Sequence, residues 1–144
     1  MFIGEYTHSI DAKKRLALPS KVRSELGERV VVTRGLDRCL FVYPIKTWET
    51  LAEKLGSMPI GEGGTRSFVR LLLAGAFDTE VDSQGRILIP ESLKSYAGLS
   101  KDVIVVGLWN RLEVWDEQSW KGYQKAAEEN SERIAEELGK IGAY

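Results

Sequence analysis

The chain has 144 residues, 43% of them hydrophobic, which suits one ordinary domain with a real core and leaves two independent domains marginal. One cysteine, Cys39, and one histidine, His8, exclude a disulfide framework and leave too few soft ligands for a zinc site. A net charge of −1 excludes a uniformly basic coat, but residues 1–72 sum to +4 and residues 73–144 to −5.

The N-terminal stretch Met1-Phe-Ile-Gly-Glu-Tyr6 lacks a basic head followed by a long apolar segment, and no run approaches a membrane span of roughly 20 residues. The expected setting is the reducing cytoplasm, with no membrane and no cofactor. A strand then leads into Asp11-Ala-Lys-Lys-Arg15-Leu-Ala-Leu-Pro19, which recurs seventy-one residues later as Asp82-Ser-Gln-Gly-Arg86-Ile-Leu-Ile-Pro90. The repeat extends on both sides. Gly4, Tyr6 and Ile10 align with Gly75, Phe77 and Val81, and at an offset of seventy-two Gly35, Leu40, Val42 and Trp48 fall on Gly107, Leu112, Val114 and Trp120.

Each copy is expected to hold four strands. The first enters the Asp turn, and the second runs over Leu16–Leu18 or Ile87–Ile89. Pro19 and Pro90 suit the first turn of a short helix that Gly27 or Gly98 closes. Val30–Thr33 and Val103–Val106 are β-branched strands, paired across turns with Cys39–Tyr43 and Arg111–Trp115. Helices follow, from Ile45 to about Leu55 and from Asp116 to about Leu138. Between the copies, Gly56–Gly64 reads as a loop, and Thr65 as the cap of a helix with Phe68, Leu71 and Leu72 on one face. The glycine loop lacks the Gly-Lys-Ser/Thr ending of a phosphate cradle. Eight short strands suffice to close a small barrel around a pseudo-twofold axis. The last helix carries Trp120, Tyr123, Ala127, Ile134 and Leu138 on a face that patterning assigns to core.

No catalytic constellation is present. Cys39 sits in an apolar strand and reads as a small buried hydrophobe, while His8 lacks an oriented partner and reads as a surface or turn residue. The chain is not expected to be an enzyme. The turns carry the chemistry instead. Asp11 and Asp82 are expected to accept backbone hydrogen bonds and pair with Arg15 and Arg86. The copies differ informatively just before the arginine, where Lys14 replaces Gly85; a positive φ there costs lysine about 1 kcal/mol. Lys13, Lys14 and Arg15 then read as a projecting triple cation, which makes the first turn the better anion reader.

These motifs, together with Thr33-Arg-Gly-Leu-Asp-Arg-Cys-Leu40 and Tyr43-Pro44, resemble the MraZ family along essentially the whole chain. Lys14 departs from the glycine usual there. The resemblance implies a mainly β fold with flanking helices: a pseudo-twofold, swapped-hairpin (double-split) β-barrel from two tandem AbrB-like repeats, plus a C-terminal helix. On this reading one domain spans 1–144, with repeats at 4–55 and 75–120, a connection at 56–74 and the helix at 121–144. It further implies a nucleoid-associated bacterial regulator, acting as a repressor of the cell-division and cell-wall gene cluster. Such a regulator binds double-stranded DNA with G-rich direct repeats as a homo-oligomeric ring of eight or twelve subunits. Arg15 is the expected guanine contact, with Lys13, Lys14 and Arg86 on phosphate or adjacent groove and Asp11 and Asp82 holding the turns. The competing reading is an antitoxin-like interaction barrel whose C-terminal helix binds a protein.

Overall fold

A computed structural model describes residues 1–144. Strand β1 (Phe2–Ser9) leads into the first Asp turn and β2 (Arg15–Ala17), then a 3₁₀ turn (Ser20–Val22) and the short helix α1 (Arg23–Leu26). β3 (Arg29–Arg34) and β4 (Leu40–Pro44) form a hairpin, followed by α2 (Ile45–Gly56) and the connecting helix α3 (Gly63–Ala74). The second copy repeats the plan as β5 (Phe77–Glu80), β6 (Arg86–Leu88), α4 (Glu91–Tyr96), β7 (Asp102–Trp109) and β8 (Leu112–Asp116), and α5 (Glu117–Lys140) completes the chain.

The two copies interleave. β1 pairs with β7 of the other copy and β5 with β3, all antiparallel, in a six-stranded sheet of order β1-β7-β8-β4-β3-β5. Exchanging equivalent strands reproduces that order in reverse, which is the signature of a pseudo-twofold axis. The axis runs between β4 and β8, where Phe41 faces Glu113, and between β2 and β6, where Leu16 faces its own equivalent, Ile87. The hydrogen-bonded ladder is not closed. β2 and β6 form a separate two-stranded ribbon, leaving β1 and β5 as edges of the larger sheet. The architecture is therefore a split barrel, with the ladder broken where the Asp turns leave it.

Nineteen buried residues fill the space between ribbon and sheet, including Leu16, Leu18, Ile87, Ile89, Val30, Val42, Val103 and Val114. Alternation explains why these residues point inward. In β2 and β6 only Leu16 and Ile87 are buried, at 0% and 1% exposure, while their flanking residues face out. A second cluster lies on the other face of the sheet, where Trp48 and Leu55 of α2 and Leu72 of α3 pack against Val31, Phe41, Tyr43 and Trp115.

Several boundaries differ from the sequence reading. The ribbon strands begin at the arginines and end at Ala17 and Leu88, because Leu18 and Ile89 donate their amides to the opposite turn instead, to Gly85 O and Lys14 O at 2.8 Å. α3 starts at Gly63, so Thr65 lies inside it and caps nothing. His8 is neither in a turn nor fully exposed: it is a half-buried member of β1 opposite Val103. The largest correction concerns α5. Asp116 caps it through Ser119 N at 3.1 Å, and Trp120 packs on Trp115, but no α5 residue is buried. Tyr123 packs one side of its ring on Trp115 but stays largely exposed, and Ile134 and Leu138 are exposed, so the far part of that stripe is not core of this chain, because the helix runs beyond the sheet that could cover it.

Candidate nucleic-acid interface

Both turns are built by one carboxylate. Asp11 Oδ1 accepts from the backbone N–H groups of Lys13 and Arg15 at 2.9 Å, and Oδ2 accepts from Arg15 Nε at 2.9 Å. Asp82 does the same with Gln84 N at 2.9 Å, Arg86 N at 2.8 Å and Arg86 Nε at 2.8 Å. The spacer length follows from this geometry, since three intervening residues form a turn that brings the arginine amide back to the carboxylate. In each copy the backbone N–H of the Arg15 and Arg86 residues is the main cause holding the Asp carboxyl below its ordinary pKa, and the guanidinium adds to it.

Each arginine is thereby fixed by Nε alone, and neither Arg15 nor Arg86 makes any further side-chain hydrogen bond through its two terminal nitrogens. Register places both on the outward face of the ribbon. Arg15 is opposite Leu88 and Arg86 opposite Ala17, so the two are diagonal neighbours across the axis, with Cα atoms roughly 7–8 Å apart.

The turns differ in what covers them. Lys14 has φ 62°, the left-handed region that glycine adopts at Gly85 with φ 75°. Its ammonium does not project freely: Nζ lies 3.1 Å from Glu91 Oε2 of the other copy, and that contact lowers the Glu91 pKa. The triple cation of the sequence reading is thus reduced to an unpaired Lys13 and the terminal nitrogens of Arg15. At the second turn, Arg23 of the first copy lies across Gly85, where a Cβ would fall 2.2 Å from its Nε. That Nε donates to Leu18 O at 2.9 Å. Burial and the nearby Arg23 guanidinium depress the pKa of His8. The contact of Arg23 with the second turn is not legible in the sequence, where its only trace is the absence of a side chain at Gly85.

Cys39 is buried and donates to Leu36 O at 3.1 Å, and burial pushes its thiol pKa up. No helix is long and apolar enough to cross a membrane.

The fold and site define a tandem, intramolecularly swapped split barrel that carries two Asp–Arg turns on a two-stranded ribbon. A family described as "MraZ protein, putative antitoxin-like" matches residues 1–71 and again 72–140. Among curated relatives, the transcriptional regulator MraZ of Halothermothrix orenii is 50% identical over 99% of both chains. Those of Acetivibrio thermocellus and Natranaerobius thermophilus are 49% identical over 99%, and 47% over 96%, of both chains. The chain belongs to the MraZ family of transcriptional regulators, which is not a class of enzymes.

Proposed function

We propose that the chain is a sequence-specific DNA-binding regulator, acting as a repressor, whose β2–β6 ribbon enters the major groove. The single observation that carries this reading is the fixing of Arg15 and Arg86 by Nε, which leaves their terminal nitrogens unpaired on one outward face. A two-stranded ribbon fits the B-DNA major groove, and the guanidinium fork matches guanine O6 and N7. Arg15 is the guanine reader and Arg86, its diagonal neighbour, the second. Lys13 supplies a phosphate contact, and Lys14 joins only if it leaves Glu91. Asp11 and Asp82 hold the turns and touch no DNA, since a free carboxylate would repel phosphate.

The operator is a set of G-rich direct repeats at the promoter of the cell-division and cell-wall cluster that encodes the family. Direct repeats suit a head-to-tail ring, which presents every ribbon in the same sense, whereas a twofold dimer would require inverted ones. The exposed Tyr123, Ile134 and Leu138 of α5 give such a ring a surface to bury. Multivalent engagement would raise a modest single-subunit affinity steeply. This role places the protein on the nucleoid in the cytoplasm.

The test is a footprint on DNA upstream of the protein's own coding sequence, at near-physiological salt, with shuffled DNA as control. Arg15→Ala is expected to erase the footprint while the oligomer persists, a bidentate base contact contributing about 1–3 kcal/mol per subunit. Lys13→Ala is expected to weaken binding to all sequences and flatten the salt slope. An unchanged footprint for Arg15→Ala refutes the assignment of the reader. Equal affinity for repeat and shuffled DNA would favour the antitoxin-like interaction barrel instead.

A further inference from the structure

Five arginines of the chain are partly buried: Arg15, Arg23, Arg34, Arg86 and Arg111. Four of them are held by a carboxylate or carbonyl. The side chain of Arg34, at the end of β3, has neither a hydrogen bond nor an ion pair. Its guanidinium is partly buried, still reaches solvent and has no protein partner, so all its donors stay free for an anion.

Its surroundings are equally specific. Arg34 lines a cavity of about 380 Å³ whose other walls include Phe77, Leu93 and Tyr96, with Ser92 at the side and no acidic residue among the lining side chains. The Tyr96 hydroxyl, bonded to Gly35 O at 2.7 Å, fixes one wall. Gly75 makes room for the arginine stem, since a Cβ there would lie 2.5 Å from Arg34 Nε. Duplication does not account for the arrangement. The equivalent of Arg34 in the second copy is Val106, buried and apolar, so the barrel itself has no need of a cation at this position.

An unpaired guanidinium beside a cavity with both polar and apolar walls, Ser92 among them, is complementary to an anion carried on an apolar body. We propose that this pocket binds a small organic carboxylate with an apolar body, the carboxylate on Arg34 and the body against Phe77, Leu93 and Tyr96. The cavity's volume falls at the small end of the range of small-molecule sites. The site also has a route to the first turn. Pro90 and Ser92 line the cavity, and Glu91 between them holds Lys14 across the pseudo-axis. An occupant that shifts residues 90–92 alters the Glu91–Lys14 pair, and with it the charge presented beside Arg15. The binding half of this inference stands alone; the regulatory half rests on the DNA-binding reading.

Ligand-observed fluorine NMR on the full-length protein tests it, with 4-fluorobenzoate as probe and 4-fluorobenzyl alcohol as its neutral counterpart. Saturable binding of the carboxylate is expected, weakened roughly 10- to 100-fold in Arg34→Gln and in the neutral probe, with Arg34→Lys intermediate. Equal binding of the two probes to the wild-type protein overturns the proposal without recourse to any variant, as does binding unchanged in a folded Arg34→Gln. In a second arm, saturating 4-fluorobenzoate is expected to change the affinity of wild-type protein for repeat DNA and to leave that of Arg34→Gln unchanged. An unaltered wild-type affinity overturns the coupling. Absence of DNA binding in the ligand-free protein would instead count against the DNA reading and leave the carboxylate site to stand on the first arm.

Discussion

The first and second Asp turns share every hydrogen bond and differ in every side chain that faces outward between Asp and Arg. Asp11 and Asp82 accept the same three donors, at 2.8 to 2.9 Å in both copies. Lys13 and Lys14 nevertheless stand where Gln84 and Gly85 stand in the other copy. What is common to the turns is the scaffold that fixes an arginine, and what differs is the charge around it. The difference is itself shared across the axis. Lys14 reaches to Glu91 of the second copy, and Arg23 of the first copy fills the space that Gly85 leaves open. Neither turn is complete within its own repeat.

The comparison breaks first at its centre. Leu16 and Ile87 face each other at 0% and 1% exposure, so Leu16→Ala and Ile87→Ala should each destabilise the fold by about 2–5 kcal/mol. Denaturant unfolding measures this, and similar losses for the pair are expected because each occupies the other's position across the axis. A difference of several kcal/mol between them would show that the copies are unequal in the core as well as at the surface.

Exchange at the position that distinguishes the turns sharpens the contrast. Gly85→Ala should cost about 2 kcal/mol, from a left-handed φ and from loss of the Arg23–Leu18 hydrogen bond as the new Cβ displaces the guanidinium. Lys14→Gly should act in the opposite direction, stabilising by up to about 1 kcal/mol, since relief of the φ 62° backbone outweighs an exposed ion pair. Thermal melts of the two variants should therefore move to opposite sides of the wild type.

Much of this was legible in the sequence. The seventy-one-residue repeat, the Asp–Arg spacing and the β-branched runs give the strands and their symmetry, because period-2 patterning and turn chemistry are local signals. The Lys14-for-Gly85 exchange correctly marks a left-handed residue. Pairings between copies were not legible. Lys14 with Glu91 and Arg23 over Gly85 join residues far apart in the chain, and nothing in their spacing encodes it. The open ladder also escaped the strand count, since eight strands permit closure without requiring it. The α5 stripe shows the same limit, as amphipathic spacing marks an apolar face without stating which molecule covers it.

Acid provides the gentlest test of equivalence between the turns. The backbone N–H groups of Arg15 and Arg86 chiefly lower the Asp11 and Asp82 pKa values in the folded state. A depressed folded value means that the contribution is fully present above the unfolded carboxylate range, about pH 4–5, and is lost as pH falls through the lowered folded values. Asp11→Asn and Asp82→Asn keep a carbonyl oxygen for the backbone donors but lose the charge. Each should therefore lower the melting temperature slightly at pH 7, and the gap to wild type should vanish at low pH. The first copy has one further acid-sensitive contact, because Lys14 depresses the Glu91 pKa. Combining Asp11→Asn with Lys14→Gly removes both of its contributions. That double variant should titrate more flatly than Asp82→Asn, and identical acid profiles for the two would show that the Glu91–Lys14 pair contributes nothing in solution.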